Sequence, residues 1–133
     1  MSTTSIMRAA FDKLNEFVHE PQPEIIWPGH KDVPPDNGMW LEPGFFPNEP
    51  EDITWDTGCV DTRGFFQVLV YYRPGQGQIE PSELADALIA HFPKGLRLGS
   101  VRVRKLPWQS PSITDRDGSK LFIPVTVSYK GLA

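Results

Sequence analysis

The chain has 133 residues, 39% hydrophobic and 23% charged, with 14 prolines and 11 glycines, enough for one packed domain and too little for two. Its single cysteine, Cys59, has no partner within the chain, and no Cys/His cluster has zinc spacing, which excludes a disulfide-stapled scaffold and a zinc ribbon. The net charge of −4 argues against a dedicated nucleic-acid binder, yet residues 1–62 carry −9 and residues 63–133 carry +5. No apolar run reaches membrane-spanning length, and the N-terminus lacks the basic and apolar regions of a signal peptide, so a cytoplasmic protein is expected.

Residues 2–18 place Ile6, Ala10, Leu14, Phe17 and Val18 at helical spacing with polar residues on the other face, which predicts an amphipathic helix stopped by Pro21 and Pro23. Residues 24–27 read as a short strand closed by Pro28 and Gly29. Eight of the 14 prolines lie in residues 21–50, interleaved with Trp27, Trp40, Phe45 and Phe46. Those aromatics predict an ordered, extended meander, with short strands at 39–41 and 53–55, that the prolines stiffen and keep from central pairing.

Residues 64–73 carry the strongest strand signal. Phe66, Val68, Val70 and Tyr72 occupy one face and Phe65, Gln67, Leu69 and Tyr71 the other, so the strand should be central and need cover on both sides. Two helices supply one layer, which leaves the second face to a loop or another subunit. Residues 81–92 predict the second helix, with a stripe of Leu84, Leu88 and Phe92. Residues 100–105 alternate Val101 and Val103 with Arg102 and Arg104, a half-buried strand with a cationic face. The last strand, 121–130, pairs through a turn at Asp117 and Gly118 with a strand around 108–113, and Pro124 within it implies an edge or a bulge. The expected fold class is α+β: a mainly antiparallel or mixed β-sheet with two helices packed on one face of a single domain, residues 1–133.

Searches for chemistry fail. Gly75 and Gly77 open a helix as in a dinucleotide turn, but Glu80 stands where the third glycine belongs, and its carboxylate would repel a pyrophosphate. His19, His30 and His91 have no ligand-spaced partners and read as isolated surface residues. The acidic groups Glu49, Glu51, Asp52, Asp56 and Asp61 read as a solvated or subunit-facing surface, and the carboxylates beside Cys59 would raise its thiol pKa. No catalytic, cofactor-binding or metal-binding residue and no cofactor is expected. The one positive cluster is Arg97, Arg102, Arg104 and Lys105, either a charged strand face that blunts edge pairing or a contact for an acidic surface or passing DNA.

The order of motifs is more informative than any one of them. A helix ending in Phe17 and Val18, the run Ile25-Ile26-Trp27-Pro28-Gly29, Pro34-Pro35, Trp40-Leu41, the strand from Gly64 to Tyr72, Gly75-x-Gly77 and Leu84-Ala85-Asp86 in a helix closing on Phe92 resembles the tail-terminator family of long-tailed phages and prophages. The likeness spans residues 5–95, and the last third matches mainly in its strand-rich character.

The resemblance implies a non-enzymatic α/β subunit that forms a homohexameric ring on the tail tube, stops tube growth and presents the head-tail joining surface. The partners it implies are the tail-tube protein, further copies of itself and a head-tail joining protein, with no membrane and no sequence-specific nucleic acid. The place it implies is the virion tail, after assembly in the host cytoplasm. Two interface sets are expected: Trp40, Phe45, Phe46, Glu49 and Asp52 on one side, and Arg97, Arg102, Arg104 and Lys105 as their counterpart or as a lumen-facing surface. A tail-completion or connector protein is the neighbouring alternative; a host enzyme or ligand-binding module would need a concave polar site that the sequence does not display.

Overall fold

The structure, a computed structural model, describes residues 3–19, 22–29, 38–47, 51–52, 60–75, 77–99, 101–116 and 118–132. Along the chain run α1 (Thr3–Asn15), β1 (Glu24–Ile25), β2 (Trp40–Pro47), β3 (Glu51–Asp52), β4 (Val60–Tyr72), α2 (Ile79–His91), β5 (Arg97–Leu98), β6 (Val101–Val103), β7 (Trp108–Gln109), β8 (Ile113–Thr114) and β9 (Leu121–Leu132). The architecture is α+β. The nine described strands form one mixed sheet with the path β1-β2-β4-β9-β6-β5; β3 extends the β2 side of β4, and β7 and β8 extend the β6 side of β9. β1 and β2 are parallel, and every other pair is antiparallel.

β4 is central, as its two apolar faces require. Its even-numbered residues Phe66, Val68, Val70 and Tyr72 join Leu41 of β2 and Ile123, Val125, Val127 and Tyr129 of β9 in one buried cluster. The same cluster holds Ile6, Ala10 and Leu14 of α1 and Leu84, Ala85 and Leu88 of α2, with Phe17 and Phe92 just beyond the helix ends. Each such side chain taken from water stabilises the fold by about 1.5–3 kcal/mol. Phe92 meets Phe66 edge-on at 5.0 Å between ring centres, which ties the end of α2 to the middle of the sheet.

Prolines in strands follow from backbone direction. The expected three-residue strand at 39–41 is in fact the eight-residue β2, which contains Pro43 and ends on Pro47. Ile26 N–H donates to the Leu41 carbonyl at 2.8 Å, so the backbone groups of odd-numbered β2 residues point away from β4, toward the side where, among the described residues, β1 covers only Trp40 and Leu41. Pro43 and Pro47 therefore lack their N–H on the side away from β4 and remove no bond to it.

Pro124 has a different solution. β9 is hydrogen-bonded on both sides, so Pro124 is not at an edge; it lies at a bulge. Trp108 faces Thr126 and Ile113 faces Phe122, so four steps along β9 are matched by five along the partner. The extra residue falls beside Pro124, whose carbonyl accepts from Ser110 N–H at 2.8 Å and which has no N–H to return. The expected strand at 53–55 lies outside the described residues.

The two helices are joined by a residue that the sequence reading places at the surface. His91, on α2, is half-buried, and its Nε2–H donates to the Lys13 carbonyl of α1 at 2.5 Å. Its ring also meets Phe17 and Phe92 edge-on at 5.3 and 5.1 Å. His19, likewise half-buried, lies parallel to Phe17 at 6.0 Å. His30 lies outside the described residues. Gly75 and Gly77 have φ of 89° and 82°, so this loop uses glycine to reverse the chain between β4 and α2.

Gly64 marks the tightest approach in the sheet. It pairs with Pro47 on one side and Tyr129 on the other. A Cβ here would collide with the ring end of Tyr129 and come within 3.0 Å of the Phe46 carbonyl. Gly64→Ala should therefore destabilise the domain by about 1–3 kcal/mol. Tyr129→Phe, which removes a buried hydroxyl that has no hydrogen-bond partner, should be neutral or stabilising alone and should recover part of the loss in the double variant. Urea unfolding of the three variants measures all three effects.

Candidate partner-binding face

Side chains alternate along each strand, so the register defines which residues share the face opposite the helix-bearing cluster. Reading laterally across β2, β4, β9 and the strands beyond, that outer face is built in rows. The first contains Trp40, Tyr71, Phe122 and Ile113; the second Glu42, Leu69 and Pro124; the third Gly44, Gln67, Thr126 and Trp108. The fourth contains Phe46, Phe65 and Ser128, the last accepting the Arg104 N–H at 2.8 Å. The fifth is Arg63, Lys130, Arg102 and Arg97, one from each of β4, β9, β6 and β5. The face thus passes from aromatic at one end of the strands to cationic at the other.

On β2 and β4 the aromatic end is closed within the chain. Trp40 is fully buried and lies parallel to Tyr71 at 5.3 Å, with an angle of 8° between the rings. Its Nε1–H donates to Glu42 at 2.8 Å. The Arg73 guanidinium sits 4.9 Å from the Trp40 ring centre, and the Lys120 ammonium, paired with Asp115 at 3.7 Å, lies 5.2 Å from that of Tyr71. Cations thus cover both rings of the stack.

The middle, the far end and the β8 flank of the first row are more open. Phe46 is 46% exposed and stacks on Phe65 at 5.1 Å, leaning over Gly44, where a side chain would crowd it. Trp108 is 41% exposed beneath the Lys105 ammonium, 4.7 Å from its ring centre, and Ile113 is 46% exposed. Gln67 donates to Thr126 at 3.1 Å, which satisfies the polar pair between the aromatic rows. Arg97, Arg102, Arg104, Lys105 and Lys130 are all exposed.

The residues expected at interfaces are therefore distributed as follows. Phe46 faces outward beside the cationic row. Phe45 points the other way, half-buried and stacked on Tyr129 at 5.6 Å, and Trp40 is enclosed by its own chain. Asp52 pairs through its backbone with Val60, and Glu49 lies outside the described residues. Arg97 and Arg102 are direct lateral neighbours, Arg104 and Lys105 follow at the end of β6, and the two expected sets meet on one face at Phe46. Lys130 and Arg63 were missed. Both complete the cationic row, and their signal was present in the polar alternation of β9 and in the residue two before Phe65.

Among the described residues no three His, Cys, Asp or Glu side chains come together to hold a metal, and no helix is long and apolar enough to cross a membrane. Cys59 lies outside them. Ser82, Asp86 and Gln109 form a local network that fastens β7 to α2: Ser82 Oγ–H donates to Gln109 at 3.0 Å, and Gln109 donates to Asp86 at 2.6 Å.

An α+β domain with a partly open, aromatic and cationic sheet face has the features of a protein built for protein contact. Residues 5–129 match the family described as phage tail terminator protein, and the chain belongs to that family. It is thus a structural phage tail protein, a component of the virion tail, and its family is not one of enzymes. One solved structure is similar over 98% of this chain and 96% of that chain, with 27% sequence identity and a TM-score of 0.73. A search of curated proteins found no match.

Two phenols on opposite faces give the domain an alkaline limit. Burial pushes Tyr129 up to about 12, and burial followed by the Glu42 and Asp115 carboxylates pushes Tyr71 up to about 12. Both side chains start from 10.0, so between pH 10 and 12 the folded chain keeps protons that the unfolded chain has lost. Stability should therefore fall as pH rises through this window and be unaffected by these groups below it. Urea midpoints measured on either side of pH 10 should show the fall, and Tyr71→Phe with Tyr129→Phe should flatten it.

Proposed function

We infer that the chain ends tail-tube growth: it assembles as a ring on the head-proximal end of the completed tube, prevents further tube subunits from adding, and provides the surface that joins the tail to the head. The observation that carries this reading is the family match across residues 5–129. Two physical features support it. The outer face of the sheet exposes Phe46, Trp108 and Ile113, apolar area that contact with a partner would remove from water. The cations of β5 and β6 sit in a half of the chain carrying +5, and the other half carries −9. A ring joins copies through two different patches, to which such polarisation is suited.

On this reading Phe46 and the basic set Arg97, Arg102, Arg104 and Lys105 contact a partner directly, either the next copy, the tube or the lumen. Trp40 and Phe45 support the sheet beneath that surface, and Glu49 and Asp52 belong to the acidic loop side. The partners are the tail-tube protein, further copies of the chain and a head-tail joining protein, with assembly in the host cytoplasm.

Electron microscopy of tails made without the protein tests the role: overlong, unjoined tubes are expected. Tails of normal length that fail to join would instead assign a tail-completion or connector role. Arg102→Glu combined with Arg104→Glu should leave a folded domain, checked by circular dichroism, that no longer caps tails. Normal yields of infectious particles from that double variant would exclude the basic set from the contact.

A further inference from the structure

The solvent-facing flank of α1 is grooved. An open cavity of about 270 Å³ is lined by Phe11, Asp12, Asn15 and Trp27, and a second, of about 310 Å³, adjoins it at Phe11 and Asp12 and takes in Met7 and Arg8. Phe11 and Trp27 meet at 5.2 Å with 51° between their rings, and both are half-buried with Met7, so the groove has an apolar floor. Arg8, Asp12 and Asn15 stand exposed along it. Aromatic rings beside a carboxylate and an amide are surroundings that suit a guanidinium: the oxygens accept its N–H groups while a ring face meets its plane.

The chain carries that group on the same flank. Arg8 precedes Asp12 by one helical turn, about 6 Å along the axis of α1. Neither forms an ion pair among the described residues, and a cation four residues ahead of a carboxylate is the weaker order for pairing within one helix. Across two helices the geometry is better. If a second α1 lies antiparallel over the groove, about a two-fold axis level with residue 10, each Arg8 falls opposite the other chain's Asp12, and the two Phe11 rings approach one another beside the axis.

We propose that this flank is a self-complementary docking surface for α1 of a second copy, with Arg8 of each chain seated against Asp12, Asn15 and Trp27 of the other. Charge complementarity selects the occupant: one patch holds both the cation and the site that takes it, which is the requirement for a contact related by a two-fold axis. Such a contact is closed, so the pair adds no third copy. It lies on α1, whose other side joins the buried cluster, and leaves the outer face of the sheet free. The proposal therefore goes beyond the ring reading and does not rest on it.

Sedimentation of the whole chain tests this. The parent should form dimers and no larger species, with a dissociation constant between about 1 μM and 1 mM, and added salt should raise that constant. Arg8→Glu alone sets carboxylate against carboxylate and Asp12→Arg alone sets cation against cation, so each variant should be monomeric while keeping the parent's circular dichroism. An equal mixture of the two variants should dimerise again, because an opposite charge is restored at both contacts. Arg8→Gln, which removes both pairs without adding repulsion, should weaken the parent's dimer about tenfold and serves where a charge-reversed variant fails to fold. A parent that stays monomeric at about 1 mM, single variants that dimerise as the parent does, a mixture that stays monomeric, or an unchanged dissociation constant in Arg8→Gln each overturn the proposal. Parent assemblies that grow past the dimer mean a head-to-tail contact and overturn the two-fold arrangement.

Discussion

Everything in this domain depends on β4 being hydrogen-bonded along both of its edges. A strand so placed has no choice about its neighbours: β2 and β9 must follow its length, and all three then present two common faces. One face is buried with the apolar stripes of α1 and α2 in a single cluster. The other must find a different solution because the two helices are already spent. The chain solves it unevenly. At one end of the strands, Trp40 and Tyr71 stack under the side chains of Arg73 and Lys120. At the other, Phe46 and a row of cations stay open.

The same constraint explains where proline is allowed. Eight prolines in 30 residues look incompatible with a long strand, and the sequence reading accordingly expects an extended meander there with only short strands, at residues 24–27 and 39–41. What decides the matter is the direction of each missing N–H. Pro43 and Pro47 share the parity of Leu41, whose carbonyl points at β1, so neither touches the ladder to β4. Periodicity along one segment does not contain that information. It requires knowing which edge of β2 is covered and for how far. Pro124 was partly legible, since a proline in a strongly alternating strand implies an edge or a bulge. The bulge appears only when the partners on both sides of β9 are known.

The helices and the centrality of β4 were legible because each is local: a stripe at helical spacing, or two apolar faces on one run. The functional surface was legible only in pieces. Arg97, Arg102, Arg104 and Lys105 stand close together in sequence, so their clustering was visible. Lys130 lies 28 residues beyond Arg102, and Arg63 lies 67 before Lys130, yet the antiparallel registers set each pair side by side. Strand alternation puts Phe45 and Phe46 on opposite faces of the sheet, and the long-range register with β4 decides that Phe46 is the one that faces outward. His91 was misread for a similar reason. Its place off the Leu84, Leu88 and Phe92 stripe of α2 suggests a solvent-facing ring, but the partner that occupies its ring nitrogen is a carbonyl at the end of α1, 78 residues away.

The uneven charge gains a physical meaning from this geometry. A chain-wide balance of −4 describes a mildly acidic protein and nothing more, and the division into −9 and +5 is compatible with two halves neutralising each other inside one fold. The register sets Arg63, Lys130, Arg102 and Arg97 of β4, β9, β6 and β5 side by side, and Arg97 and Arg102 donate to the uncharged backbone carbonyls of Gly99 and Gly95. Folding therefore concentrates positive charge on one edge of the outer face.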